Sequence, residues 1–466
     1  MATIDVGARE TPQNYWVAGL LGAYACAVAA APSPATALAW IAPGVAIPLV
    51  LWILRGANRW LWCFFFAALL LPPLPFALGD SGPHVALIFA ALGLVAGAIR
   101  IRQWLLPRDL LTLAIALFFL ALLCRSAVAV FYSGIAIGAG SLARVFLFGI
   151  AVYVFFYSAR GPGAQDGSAH GAQRLLWFGV ISAAFACVDF YYQFPAPAGY
   201  GPQFIWLDSG IFRRAQGVFY EASTLGNMCA FFLVMIAVLL LRPKRGRLAP
   251  VLAALGAPVL FAALILSYSR ASLLNLCAAL ATLLYLERAR LKVGRLMAIA
   301  ACCIAAGALA AWIFFPDVTR GYWLRLAYSE SFFFSQPERV LSGRVANWQA
   351  ITAFLAAHPW HAILGIGYKT LPYSDFIGAT VIADNMYLSL LAETGIAGLA
   401  MFLLLNFAIL RASWRALRRG GERGAFFGTW IFCFWIGQLF QMLSGDLFTY
   451  WRVLPLYFWA LAMAVR

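Results

Sequence analysis

Residues 109–158 read DLLTLAIALFFLALLCRSAVAVFYSGIAIGAGSLARVFLFGIAVYVFFYS. This stretch holds two apolar runs, 109–132 and 142–158. A helix needs about 17 to 25 apolar residues to cross the hydrocarbon core, so each run is long enough to span. Each also carries one arginine, Arg125 or Arg144, in a setting where charge is costly. Outward in both directions the pattern repeats at 15–31, 38–54, 60–78, 84–99, 175–193, 218–241, 248–267, 271–286, 296–315, 385–410, 425–443 and 452–465. The expected fold is therefore all-α, a polytopic transmembrane helical bundle of about 12–14 spans, the lower count allowing for the short early runs. A single integral membrane domain covers 1–466, with a long loop, 316–384, inserted between spans.

Composition agrees. The chain is 64% hydrophobic and 11% charged, too little charge for a soluble surface of 466 residues. A net charge of +16 raises the question of nucleic acid, but the basic residues cluster in alternate connections. Examples are Arg100, Arg102 and Arg108; Arg242, Lys244, Arg245 and Arg247; and Arg411, Arg415, Arg418, Arg419 and Arg423. The positive-inside rule requires this alternation, because Lys and Arg on short loops resist translocation. Threading the spans puts every such loop and both termini on the cytoplasmic side, and no nucleic-acid partner is needed. All nine cysteines fall within predicted spans, which leaves no disulfide framework or CxxC metal site. The run Ala29-Ala30-Ala31 faintly resembles a signal-peptidase site but lacks a basic leader, so the segment is read as the first span.

Two outer connections stand out. The first, about 194–216, is rich in proline and glycine and ends on Arg213-Arg214. The second, 316–384, carries aromatic anchors (Tyr322, Trp323, Phe332, Phe333, Phe334, Trp348, Trp360) suited to a membrane interface. Leu341, Val345, Trp348, Ile351 and Leu355 fall at helical spacing, with Ser342 placed to cap and Pro359 to terminate. An amphipathic helix on the outer leaflet follows. Gly365-Ile366-Gly367 makes a tight bend after it.

The informative residues are cations that disobey the inside rule: Arg125, Arg144, Arg213, Arg214, Arg270, Arg320, Arg325, Arg339, Arg344, Lys369 and Arg452. Arginine cannot discharge itself and its planar fork fits phosphate oxygens, so arginines converging at the outer interface point to a lipid-linked phosphate or pyrophosphate. The plainer reading pairs Arg125 or Arg144 with Asp189 or Asp446 and lets Arg452 snorkel to headgroups. Polar faces occur at Tyr220, Thr224 and Asn227 beside Glu221, at Ser272 and Asn275, and at Asn385, Ser389 and Glu393. They suggest one aqueous cleft, or else ordinary interhelical hydrogen bonds. Candidate bases are Asp384, whose bland role is a helix N-cap, and the deeper Glu393. His358 and His361 lack a third ligand and are split by Pro359, so no metal is expected.

The run from Arg214 through Gln216, Glu221 and Asn227, followed by Ser267-Tyr268-Ser269-Arg270, resembles the O-antigen ligase and polymerase superfamily. So do Ser342-Gly343-Arg344 with Trp348, His358-Pro359-Trp360 before Gly365-Ile366-Gly367, and Asp384-Asn385-Met386-Tyr387 with Glu393-Thr394-Gly395. The resemblance covers about 210–400, in order. It implies a metal-independent membrane glycosyltransferase in the bacterial inner membrane, with no cofactor. Its partners would be membrane lipids, an undecaprenyl-pyrophosphate-linked glycan donor, and a glycan or lipid A core acceptor. The active site would be periplasmic. By the resemblance, Arg214 and Arg270 grip the pyrophosphate, with Arg213 the close alternative to Arg214 and Arg344 a further contact. Glu221, Asn385 and Tyr387 would line the cleft. Ligases of the family commonly carry a histidine just before the Asn of the last motif, as the acceptor-activating base. Asp384 holds that place here, which favours polymerase over ligase. A carboxylate still accepts a hydroxyl proton, with Glu393 the second candidate. The rival from another class is a flippase or transporter of a lipid-linked glycan, which calls for midplane polar residues and broken or repeated helices.

Overall fold

The computed structural model describes residues 33–76, 82–105, 109–165, 169–197, 199–207, 210–241, 250–289, 343–374 and 380–466, with isolated positions between them. The expected spans 15–31 and 296–315 lie outside the described residues, as do Tyr322, Phe332, Phe333, Phe334, Leu341, Ser342, Arg325 and Arg339. The chain divides into two compact units, Met1–Trp60 and Leu61–Arg466. The first holds α1 (Pro34–Arg55), opened by a capping box in which Ser33 and Thr36 exchange side-chain and backbone bonds.

The second unit is an all-α bundle. Its helices are α2 (Arg59–Leu70), α3 (Ala86–Ile99), α4 (Leu110–Arg160), α5 (Ala169–Tyr192), α6 (Ala222–Leu241), α7 (Pro250–Leu266) and α8 (Arg270–Glu287). They continue with α9 (Arg344–Ala357), α10 (Pro359–Leu364), α11 (Met386–Arg419), α12 (Glu422–Gln441) and α13 (Leu454–Val465). Among the described residues five, α4, α5, α6, α8 and α11, are long and apolar enough to cross a membrane. The protein is therefore a multi-pass membrane protein.

Departures from the sequence reading have local causes. The run 60–78 is helical only to Leu70, because Pro72, Pro73 and Pro75 cannot donate to a helical ladder. The span expected from 218 begins at Ala222, since Tyr220 adopts a left-handed backbone (φ 55°). A two-stranded antiparallel hairpin, β1 (Phe204–Leu207) and β2 (Gly210–Arg213), interrupts the first outer connection, where no strand was expected. The decisive stretch 109–158 forms the two limbs of α4, folded back at Gly134 (φ 85°). Ser141 Oγ donates to Ser126 Oγ across the limbs at 2.9 Å, and the rings of Phe118 and Phe148 meet at 5.7 Å.

α9 is the amphipathic helix expected in the long loop, started at Gly343. Its stripe does not face the leaflet. Ile351 and Leu355 are buried against Ile366, Leu371, Val381, Ala383 and Ala392, so protein covers the face that the sequence assigned to lipid. Pro359 both ends α9 and occupies the first turn of α10, where a missing N–H costs nothing.

α11 is broken at Gly395 (φ 72°). The break frees the carbonyls of Ala392 and Glu393, and the glycine bend of the long loop takes them. The N–H groups of Ile366 and Gly367 donate to them at 3.0 and 2.9 Å. Gly365 (φ 72°) permits this approach, and a Cβ on Gly365 or Gly395 would collide with the opposing backbone. Buried carbonyls find partners in this way or the break would be prohibitive in a membrane.

Candidate functional site

The first arginine sits at the end of β2. Alternation along a strand sends Arg213 and Arg214 to opposite faces. Arg213 is paired with Asp189 at 3.6 Å. The Arg214 Nε donates to the Ser267 carbonyl at 2.9 Å. A glutamine pair holds this corner. Gln216 accepts from the Gln203 N–H and donates to the carbonyls of Gly201 and Tyr220, while Gln203 accepts from the Ala222 N–H. Sequence reading missed both glutamines as scaffold, although Gln216 lies in the run that carries the resemblance.

The second arginine, Arg270, opens α8. Ser269 caps that helix and shares a 2.8 Å hydroxyl contact with Ser272, and Tyr268 bends the chain at φ 50°. Ser267, which receives Arg214, belongs to the same turn, so the two arginines are joined through it. Arg270 in turn lies within reach of the charge of Arg344.

Arg344, the first residue of α9, donates from Nε to Asp384 Oδ2 at 3.1 Å. Trp348 and Asn347, one turn along, bind the carbonyls of Ala383 and Ile382 at 2.6 and 2.9 Å. Asp384 is held in a left-handed conformation (φ 44°) and is not the helix cap. Asn385 is the cap, accepting from the N–H groups of Tyr387 and Leu388, each at 3.1 Å. The Tyr387 hydroxyl donates to the Leu439 carbonyl at 3.1 Å, tying α11 to α12. Both residues, expected to line a cleft, thus hold helices in place.

Glu221 completes this group. Thr224 donates to its Oε2 at 2.6 Å, and the charges of Arg214, Asp446 and Asp384 reach it. Burial pushes its carboxyl above the ordinary range, against the pull of Thr224 and Arg214.

A second group lies beside the first. Lys369 pairs with Asp446, and Glu393 lies close to both. Burial alone would lower the Lys369 ammonium, but the Asp446 and Glu393 carboxylates outweigh it and hold its pKa above the ordinary value. Glu393 is 2% exposed and accepts from the Leu371 N–H at 3.3 Å, so it braces the loop from behind. Arg144 lies over the Tyr373 ring at 4.3 Å. The anticipated pairing of Arg125 or Arg144 with Asp189 or Asp446 is not what forms, because Arg213 and Lys369 occupy those carboxylates. Arg452 does not snorkel either. It is 6% exposed and donates to the carbonyls of Ala68, Val218 and Leu71 at 2.8, 2.6 and 2.8 Å.

Beneath the site two of the three polar stripes meet as interhelical hydrogen bonds. Asn227 and Asn275 both donate to Gln438 and Gln441, Gln441 reaches Ser272, and the Tyr457 hydroxyl binds Asn227. Gln438 and Gln441 escaped the sequence reading, although two glutamines three apart in an apolar helix were a visible signal. His361 stacks on the Phe354 ring, and His358 meets that ring at a tilt.

Three arginines, Arg214, Arg270 and Arg344, thus lie with the carboxylates of Glu221 and Asp384 at the ends of membrane helices. Residues 255–403, about a third of the chain, match the model of the O-antigen ligase family Wzy_C. That match supports the O-antigen ligase and polymerase superfamily for this region, and with it glycan transfer of the O-antigen ligase type in general. The match includes Arg270, Arg344, Asp384 and Glu393, whereas Arg214 and Glu221 lie before it. No curated protein matches the chain.

Proposed function

We propose that the protein transfers a glycan from an undecaprenyl-pyrophosphate-linked donor at the periplasmic face of the inner membrane, elongating a surface polysaccharide as a polymerase. The observation that supports this best is the grouping of Arg214, Arg270 and Arg344 with Asp384, drawn from three separated segments. Arg214, Arg270 and Arg344 grip the pyrophosphate, and Arg213, tied to Asp189, holds the hairpin. An acceptor hydroxyl oxygen attacks the anomeric carbon as the bond from that carbon to the phosphate oxygen breaks. The hydroxyl proton passes to the Asp384 carboxylate, and the electron pair leaves on the pyrophosphate, whose charge the arginines stabilise. The side opposite the leaving group is attacked, so the anomeric configuration inverts. The lipid-linked donor supplies the driving force, and the charge work of this scheme falls to arginine alone.

The test uses purified protein in detergent with an undecaprenyl-pyrophosphate-linked repeat as sole substrate, then with lipid A core added. Longer lipid-linked chains from the donor alone are expected. Product only with lipid A core would make the protein a ligase in which aspartate stands for histidine. No product in either tube, with the native glycans, would refute transfer and leave transport.

A further inference from the structure

At the opposite end of α11 from Asp384, the protein has a cavity of about 630 Å³ between the ends of α11 and α13 and the starts of α4 and α12. That volume falls inside the roughly 300–1,000 Å³ range of small-molecule sites. Arg411, Arg415 and Arg419 line it from α11, at a spacing of four that puts all three on one helix face. Arg423 enters from α12 and Arg466 from beyond α13. Two carboxylates also line it, Asp109 and Glu422. Asp109 is already engaged in capping α4, where it accepts from the Thr112 N–H at 2.7 Å. Five guanidinium groups therefore outnumber the carboxylates.

Membrane topology explains part of this charge but not its arrangement. The positive-inside rule counts Lys and Arg on a side and is indifferent to which helix face they occupy. A helix C-terminus favours one or two cations in its last turn, whereas like charges four apart repel one another. Among the described residues Arg411, Arg415 and Arg419 have no ion-pair partner. The neighbouring Arg418, by contrast, lies over the Trp414 ring at 4.6 Å. Arg423 donates to the Met463 sulfur at 3.0 Å, and its Nε is buried with no hydrogen-bond partner among the described residues. A buried guanidinium N–H without an acceptor is costly unless a ligand supplies one.

We propose that this cavity binds a phosphate-bearing anion, of the class that presents two phosphates close together, as a diphosphatidyl lipid headgroup does. Paired arginine forks match such oxygens bidentately, and basic pockets between membrane helices suit anionic headgroups. The site is independent of the outer one.

The experiment measures thermal unfolding of the full-length protein in detergent with cardiolipin, with phosphatidylcholine and with inorganic pyrophosphate. Wild type is compared with the double variants Arg415→Gln/Arg419→Gln and Arg415→Lys/Arg419→Lys. Cardiolipin is expected to raise the Tm by at least about 3 °C, as preferential binding to the folded state requires, and phosphatidylcholine to leave it unchanged. The glutamine variant should lose the shift and the lysine variant keep part of it, while the ligand-free Tm of the glutamine variant stays at or above wild type as repulsion is relieved and that of the charge-retaining lysine variant stays near wild type. A pyrophosphate shift equal to that of cardiolipin and lost in the glutamine variant would assign the site to soluble phosphates, whereas a pyrophosphate shift that survives in that variant belongs to the outer arginines; a variant-sensitive shift with cardiolipin alone assigns this site to the lipid. The proposal is overturned if the cardiolipin shift is the same in wild type and the glutamine variant, or if phosphatidylcholine matches it.

Discussion

Replacing Arg344 by glutamine separates two parts that the Arg344–Asp384 pair can play. The side chains are 26% and 43% exposed, so water screens the 3.1 Å contact, and such a pair contributes about 1 kcal/mol at most to stability. The backbone around it is held independently by Trp348 and Asn347 on the 382–383 carbonyls. Arg344→Gln is therefore expected to lower the Tm by no more than a few degrees. Transfer should fall much further. A preorganised donor aimed at developing charge is worth about 3–4 kcal/mol, or roughly 10² to 10³ in rate. The assay follows elongation of a lipid-linked repeat by purified protein, with unfolding recorded on the same samples. Asp384→Asn is the companion variant, expected to lose about 10² to 10⁴ as a general base is removed, and the double variant should be hardly worse than the poorer single one. If Arg344→Gln keeps more than about a fifth of the rate with normal stability, the transition-state argument fails and the pair is only a clasp on the loop.

Four further outcomes are expected. Arg214→Gln should abolish transfer, while Arg213→Gln, which only breaks the link to Asp189, should keep most of it; equal losses in a product assay would reverse this assignment. Lys369→Met leaves the partly buried Asp446 carboxylate only its bond from the Phe448 N–H and should cost about 1–3 kcal/mol, seen as loss of protease resistance in the loop; an unchanged digestion pattern would show that the pair is dispensable. Arg452→Leu leaves three carbonyls without their charged donor and should cost several kcal/mol in thermal unfolding, roughly 1.5–3 for each bond, with Arg452→Lys recovering only part. Gly395→Ala drives a Cβ into the loop backbone and should weaken the loop's protection from hydrogen exchange; wild-type protection in this variant would contradict the close approach.

Hydropathy exposes spans because each must satisfy its own backbone in lipid, and α4, α6, α8 and α11 were visible for that reason. The outer arginines were visible too, since a charge on the wrong side of the positive-inside pattern stands out. Partner choice was not. Asp189 went to Arg213 because a strand, unforeseen in a loop rich in proline and glycine, set the alternation of Arg213 and Arg214. The helical period in α9 was legible, but the same stripe suits lipid or protein. Only the packing of Ile366, Leu371, Val381 and Ala383 against Ile351 and Leu355 decided that protein covers it. Asp384 and Asn385 are adjacent, and either could have capped α11. The bond from Arg344 and the left-handed backbone at Asp384 leave the cap to Asn385.

The three-carbonyl grip of Arg452 has a consequence for the order in which the protein is made. Arg452 and Ala68 are 384 residues apart in the chain. At about 5–20 residues per second, a ribosome takes roughly 20 to 80 s to travel that distance. Throughout that interval the end of α2 has been synthesised while the side chain that closes it has not. Those carbonyls must stay with water or with the insertion machinery, so the early helices can enter the bilayer but cannot lock. A nascent chain stalled before residue 452 would carry Arg214, Arg270 and Asp384 yet lack the bolt that fixes the hairpin side of the bundle, and quality-control proteases would meet it with α2 still unfastened.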